Sequence, residues 1–167
     1  MHSKIKDITI IAIFAAILFV QEQLLTFLPN VQLTVFLLVL YSKVFGFSKT
    51  VIICLIHVFL DNILMSSFSL YYTPFMLIGW LFIPVIVCFS FKKTENQLIL
   101  ALIGVLCSFI YSWMFLIPNA IFTEVNILVY LTNDILFELI LACTSFLTIY
   151  WLYIPCSKLL FKLMNKN

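Results

Sequence analysis

The chain has 167 residues, of which 65% are hydrophobic and 10% charged, with a net charge of +2; its mean hydropathy is +1.21. A soluble domain is about 45–50% apolar and about 25% charged, and a small one leaves much of its surface in water. The composition therefore excludes a soluble domain, and so weak a net charge gives no basis for nucleic-acid binding.

A membrane-spanning helix takes about 20 apolar residues, so six would use about 120 and leave fewer than about 50 for links and tails. The expected fold is an all-α membrane protein: one integral domain of six transmembrane helices over 1–167, with no room for a nucleotide-binding fold. The first span is expected over 7–28, ending at Leu28-Pro29-Asn30. Lys4 and Lys6 before it resemble a signal-peptide n-region. The apolar run is too long for an h-region, however, and no small-residue cleavage site follows, so this span is expected to be retained. The second, 31–47, ends at Gly46-Phe47-Ser48, and the third covers 49–65. Thr73-Pro74 offers an N-cap with proline at the first helical position, opening the fourth span, 74–91. Pro84 inside it is expected to kink it. Lys92 to Gln97 form the clearest polar link, and Thr94 with Gln97 has capping-box spacing for the fifth span, 95–117. Pro118-Asn119 closes that span, and a link through Glu124 leads to the sixth, 127–155. In the tail, 156–166, Lys158, Lys162 and Lys166 recur every fourth residue between Leu159, Leu160, Phe161 and Leu163. That pattern suits a short amphipathic helix on the membrane surface, or simply a lysine-flanked helix end.

All nine cations are lysines. With six spans, Lys4 and Lys6, Lys43 and Lys49, Lys92 and Lys93, and Lys158, Lys162 and Lys166 all fall on one side, and the opposite links carry none. The positive-inside rule places that side, and both termini, in the cytoplasm. The five cysteines, Cys54, Cys88, Cys107, Cys143 and Cys156, lie in apolar runs without CxxC spacing and read as small buried residues, not as disulfides or metal ligands.

Charged groups within hydrocarbon cost at least a few kcal/mol each and call for a reason. Glu22, Asp61, Glu124, Asp134 and Glu138 all belong to the outer half or midplane of this topology, without an accompanying lysine. Such a set points to a cavity open to the outside, where the acids are hydrated or meet a cation or hydrogen-bond donors on a ligand. Asp134 and Glu138, at i and i+4, share a helix face with Asn133 nearby. They are the leading substrate-binding candidates, against the plainer reading of a polar seam between helices. His57, Asp61 and Asn62 come next: His57 and Asp61 have the spacing to pair, and one histidine falls short of the three or four ligands a zinc site needs. Gln21, Glu22 and Gln23, with Asn30 and Gln32, suit either a pocket wall or a solvated helix end. Tyr71, Tyr72, Trp80, Tyr111 and Trp113 suit an interfacial aromatic belt. Trp80, deeper in its span, is the better stacking platform for a flat ring, with Tyr111 beside it in the candidate set. No nucleophile elbow, zinc-protease motif or phosphate loop is present; Gly46, Gly79 and Gly104 are the only glycines. Ser112 or Ser145 with His57 has no supporting spacing for a hydrolase.

Ala12-Ile13-Phe14-Ala15-Ala16 places Ala12 and Ala16 one turn apart, which lets another helix approach closely. With this motif, with Gln21-Glu22-Gln23-Leu24-Leu25 and Tyr71-Tyr72-Thr73-Pro74-Phe75, and with the six-span topology, the chain resembles the substrate-binding S components of energy-coupling factor (ECF) transporters. The resemblance implies a protein that binds a small nutrient at its outer side, using the first external link and spans four to six. It implies docking through Ala12 and Ala16 on a transmembrane T component that works with two ATPase subunits. ATP hydrolysis would belong to those partners, so the chain itself is expected to be neither an enzyme nor a cofactor carrier. His2 alone does not rebuild the N-terminal histidine arrangement of the nickel and cobalt members, so a metal is not the expected cargo. The expected cargo is a small water-soluble vitamin or precursor, aromatic or cationic in chemistry. Two other classes compete: a small cell-shape or cell-wall scaffold without a ligand, and an intramembrane enzyme using His57 and Asp61.

Overall fold

A computed structural model describes residues 2–65, 68–123 and 126–165, with side chains placed between 5 and 164 of these. His2, Lys4, Glu124 and Lys166 therefore lie outside the described side chains. The described elements are all helices: α1 (His2–Leu25), α2 (Thr34–Phe45), α3 (Phe47–Leu64), α4 (Thr73–Val85) running into a π-helical turn (Ile86–Ser90), α5 (Gln97–Met114), α6 (Leu116–Phe122) and α7 (Ile127–Asn165). Among the described residues five stretches are long and apolar enough to cross a membrane: Ile5–Leu25, Phe47–Leu64, Thr73–Ser90, Gln97–Phe122 and Ile127–Met164.

The expected second span is the exception. At 12 residues, α2 is only about 18 Å long, against a hydrocarbon core of about 30 Å. Its residues from Thr34 to Ser42 are all buried, and it packs against α1, α3, α4, α5 and α7. An element enclosed by protein need not match the bilayer's thickness, and the irregular stretch before it is tolerated where its backbone groups are satisfied. Gln21 of α1 does this: its Oε1 accepts from the Leu33 N–H at 2.8 Å, and its Nε2 donates to Thr34 Oγ1 at 2.8 Å and to the Leu18 carbonyl at 2.9 Å. Gly46 alone joins α2 to α3, at φ 78°, a left-handed conformation open to glycine.

Other boundaries move for local reasons. Tyr72 occupies the N-cap of α4, so Thr73 already lies in the helix. The Thr73 hydroxyl instead donates to Asn62 Oδ1 at 2.8 Å, tying α4 to α3. Asn96, rather than Thr94, caps α5, its side chain accepting from the Leu98 N–H at 2.9 Å. After Pro84 the helix widens into the π turn, and Lys43 of α2 donates to the freed carbonyls of Phe91 and Lys92, at 3.1 and 2.8 Å. Pro118 does not end a helix; it sits in the first turn of α6, where a missing N–H costs nothing. The tail expected as a separate amphipathic helix is the unbroken continuation of α7, a helix of 39 residues and about 58 Å.

Helix α7 packs most extensively on α5. Small residues make that approach possible: Gly104 faces Ile149, and Ser108 Oγ donates to Ser145 Oγ at 2.8 Å. Helices α1 and α3 run side by side in the same direction. Lys49 pairs with Asp7 at one end, and Gln23 donates to Asp61 at the other. The contacts of Lys6, Lys43, Lys49, Lys92 and Lys158 gather these lysines at one end of the bundle. Glu22 lies about 24 Å along α1 from Lys6, and Asp61 about 18 Å along α3 from Lys49, so these acids belong to the opposite end.

Candidate functional site

At the acid end, a cavity of about 330 Å³ opens between α1, α3 and α5 beneath the α1–α2 link. Glu22 and Gln23 line it from α1, Asp61 from α3, Tyr111 from α5, and Asn30 and Gln32 from the link. The link is held from below by Gln21, and Asn30 turns it at φ 56°, a left-handed conformation that asparagine accepts more readily than most residues.

The polar side chains pair across helices. Gln23 Nε2 donates to Asp61 Oδ1 at 3.2 Å. His57, fully buried on α3, places Nε2 3.1 Å from Glu22 Oε2, close enough for an ion pair but outside hydrogen-bond geometry. Glu22 Oε2 and both imidazole nitrogens lack hydrogen-bond partners among the described residues. The expected His57–Asp61 pairing is thus replaced by two contacts from α3 to α1, because the parallel packing of these helices brings Glu22 and Gln23 alongside.

Tyr111 stacks on Trp80, with ring centroids 3.7 Å apart and planes inclined by 20°. Trp80 is completely buried, and its Nε1–H has no hydrogen-bond partner among the described residues. Gly79 permits the arrangement: a Cβ there would lie 2.9 Å from Tyr111 Cδ2. Of the leading substrate-binding candidates from sequence, Asp61 and Tyr111 line the cavity and Trp80 backs it; Glu22, Gln23, Asn30 and Gln32, which suited either a pocket wall or a solvated end, line it too.

Asn133, Asp134 and Glu138 are not among its lining residues. Asn133 is exposed and Asp134 half-buried on α7. Glu138 is buried, its Oε2 accepting from Trp113 Nε1 at 3.3 Å while Oε1 lacks a partner among the described residues. Trp113 and Tyr111 are two residues apart, about 200° around α5, so Glu138 is held on the side of that helix away from the cavity. Ala12 and Ala16 are exposed on the outer face of α1 with Ile13 and Ile17, while Ala15 turns into the core.

All five cysteines are free thiols. Among the described residues no group of three or more His, Cys, Asp or Glu is arranged to hold a metal ion. Sequence reasoning under-weighted Glu22 and Gln23, because three adjacent polar residues near a helix end, Gln21 to Gln23, read equally well as a solvated terminus. Chemically, the cavity offers two carboxylates, amide groups and an aromatic wall, a set that complements a small solute with a cationic or donor-rich group and a flat part.

Among the described residues the secondary structure is all helical, with five stretches long and apolar enough to cross a membrane. Compared with known proteins, it matches no family model, and neither a curated protein nor a solved structure shows significant similarity to it.

Proposed function

We propose that the chain is the substrate-binding S component of an ECF-type transporter, taking a small water-soluble nutrient with a cationic group into the cavity between α1, α3 and α5. The observation that carries this reading is the cavity itself: Glu22 and Asp61 beside the stacked Tyr111–Trp80 pair, at the end of the bundle away from the lysines. The positive-inside rule orients the lysine end, with both termini, to the cytoplasm of a prokaryotic cell, and the cavity mouth outward. The exposed Ala12–Ala16 face of α1 is free for a T component, and two ATPases would supply the energy. Binding suits the geometry better than catalysis: the close polar neighbour of His57 is Glu22, and Ser145 is engaged by Ser108. A ligand-free scaffold leaves the paired acids and the aromatic wall without a role.

The test starts with the intact chain, purified in mild detergent from cells grown in rich medium, denatured, and searched by mass spectrometry for a stoichiometric small molecule. Binding of that molecule is then measured to Asp61→Asn and Glu22→Gln. A charge-assisted hydrogen bond is worth about 1.5–3 kcal/mol, so each variant is expected to lose about 10- to 150-fold in affinity. Unchanged affinity in both variants would remove the cavity from consideration. Asp134→Asn and Glu138→Gln, tested alongside, report on the α7 pair.

A further inference from the structure

Two hollows lie at the lysine end and share Lys43 and Lys92. One, of about 480 Å³, is bordered by α2, the start of α3 and the π turn, with Phe47 and Phe89 on its edge. The other, of about 440 Å³, lies between the α4–α5 link and the last turns of α7, where Lys158 and Glu95 complete its charged lining. Three ammonium groups from three separate segments thus border one region against a single carboxylate.

The lysines are differently committed. Lys43 is fixed by the carbonyls of Phe91 and Lys92, which leaves one of its three donors free. Lys92 and Lys158 are exposed, and among the described residues neither has a carboxylate within ion-pair distance. From α7, Tyr153 and Ser157 line the same hollow with side chains more than nine-tenths buried, 5% and 8% exposed, so it has a polar wall of fixed shape. Phe47 and Phe89 meet edge to face at 5.1 Å, and both are exposed. The Ser157 hydroxyl donates to the Ile154 carbonyl at 3.0 Å and so faces the hollow as an acceptor-bearing, fixed group. Cations with a polar wall in one hollow, and exposed aromatic rings in the other that shares Lys43 and Lys92, complement an amphiphile with an anionic head.

We propose that this region holds the phosphate headgroup of an anionic phospholipid, with Lys92 and Lys158 as its ionic partners, Lys43 as a fixed third charge, and Phe47 and Phe89 against the acyl chains. Basic hollows between transmembrane helices favour such lipids, because a zwitterionic head brings its own cation and gains less from the lysines. The site is independent of the cavity at the other end and stands whether or not the chain carries a nutrient.

The experiment uses the full chain, delipidated in a neutral detergent, titrated with short-chain phosphatidylglycerol, short-chain phosphatidylcholine and inorganic phosphate, and read by native mass spectrometry. Saturable binding of phosphatidylglycerol is expected, at least ten-fold tighter than that of phosphatidylcholine. Each of Lys92→Gln and Lys158→Gln should weaken it about five-fold, and the pair about 25-fold. Both side chains are exposed, so the variants should keep the parent's helicity, checked by circular dichroism. Lys162→Gln, one turn beyond Lys158 and outside the hollow, should change binding less than two-fold. Equal binding of the two lipids, equal weakening by Lys162→Gln, or inorganic phosphate binding as tightly as phosphatidylglycerol would each overturn the proposal.

Discussion

Replacing Gly79 by alanine tests whether the stack behind the cavity is as confined as its distances imply. The added Cβ would lie 2.9 Å from Tyr111 Cδ2 and 3.4 Å from Tyr111 Cα. Carbon atoms in good contact sit at about 3.5–4.0 Å, so the ring must retreat by about 0.6 Å or more. Rotation cannot supply this, because the residue's own backbone is close to the same Cβ and the ring lies against the buried Trp80. Either the stack opens or α5 shifts from α4. Overpacking of this kind costs about 1–3 kcal/mol. The better helix propensity of alanine offsets about 0.8–1.0 kcal/mol of it. The net expectation is a loss of about 1 kcal/mol, which corresponds to a Tm lower by about 2–4 °C. The assay is thermal unfolding in one detergent for the parent, Gly79→Ala and Gly104→Ala. At Gly104 the new Cβ would fall closer still to Ile149 Cδ1, but that is a softer obstacle, since it is the end of a side chain that can turn away. Gly104→Ala is therefore expected to be the more stable variant. A Gly79→Ala protein as stable as the parent, or more stable than Gly104→Ala, would refute the reasoning.

Gln21→Ala removes both bonds that hold the start of α2, leaving the Leu33 N–H and Thr34 hydroxyl without that partner. A loss of about 1–3 kcal/mol in thermal or denaturant unfolding is expected, together with faster proteolysis in the 26–33 link. Ala12→Leu and Ala16→Leu fall on exposed positions and should leave stability within about 0.5 kcal/mol. Under the proposed function they should also weaken co-purification with a T component while leaving ligand affinity intact. Retained docking in both would separate the alanine face from partner binding.

The first carrier of the functional reading, the acids inside apolar spans, was legible in composition, but their grouping was not. Asp134 and Glu138 have ideal spacing for one helix face, yet Glu138 turns to Trp113, because the packing of α5 on α7 decides which groove that face enters. Glu22 looks like a helix end in sequence. It becomes part of a cavity because α1 lies parallel to α3 at a register that sets Glu22 beside His57 and Gln23 beside Asp61. Cap positions shifted by a residue or two for a related reason: Thr73 had a better use joining α4 to Asn62 than capping its own helix.

By itself, the sequence determined that the chain is helical and apolar enough for a bilayer, roughly where the long helices run, and that the lysines fall on alternate links. Those properties follow from local hydrophobicity and from charge, which need no knowledge of neighbours. Tertiary structure alone decided that α2 is a short, enclosed helix, that α7 continues through its tail, and that the cavity forms between α1, α3 and α5. Each depends on which faces are buried against which, and that is set by the fit of side chains from distant segments, such as Gly79 under Tyr111 and Gly104 under Ile149.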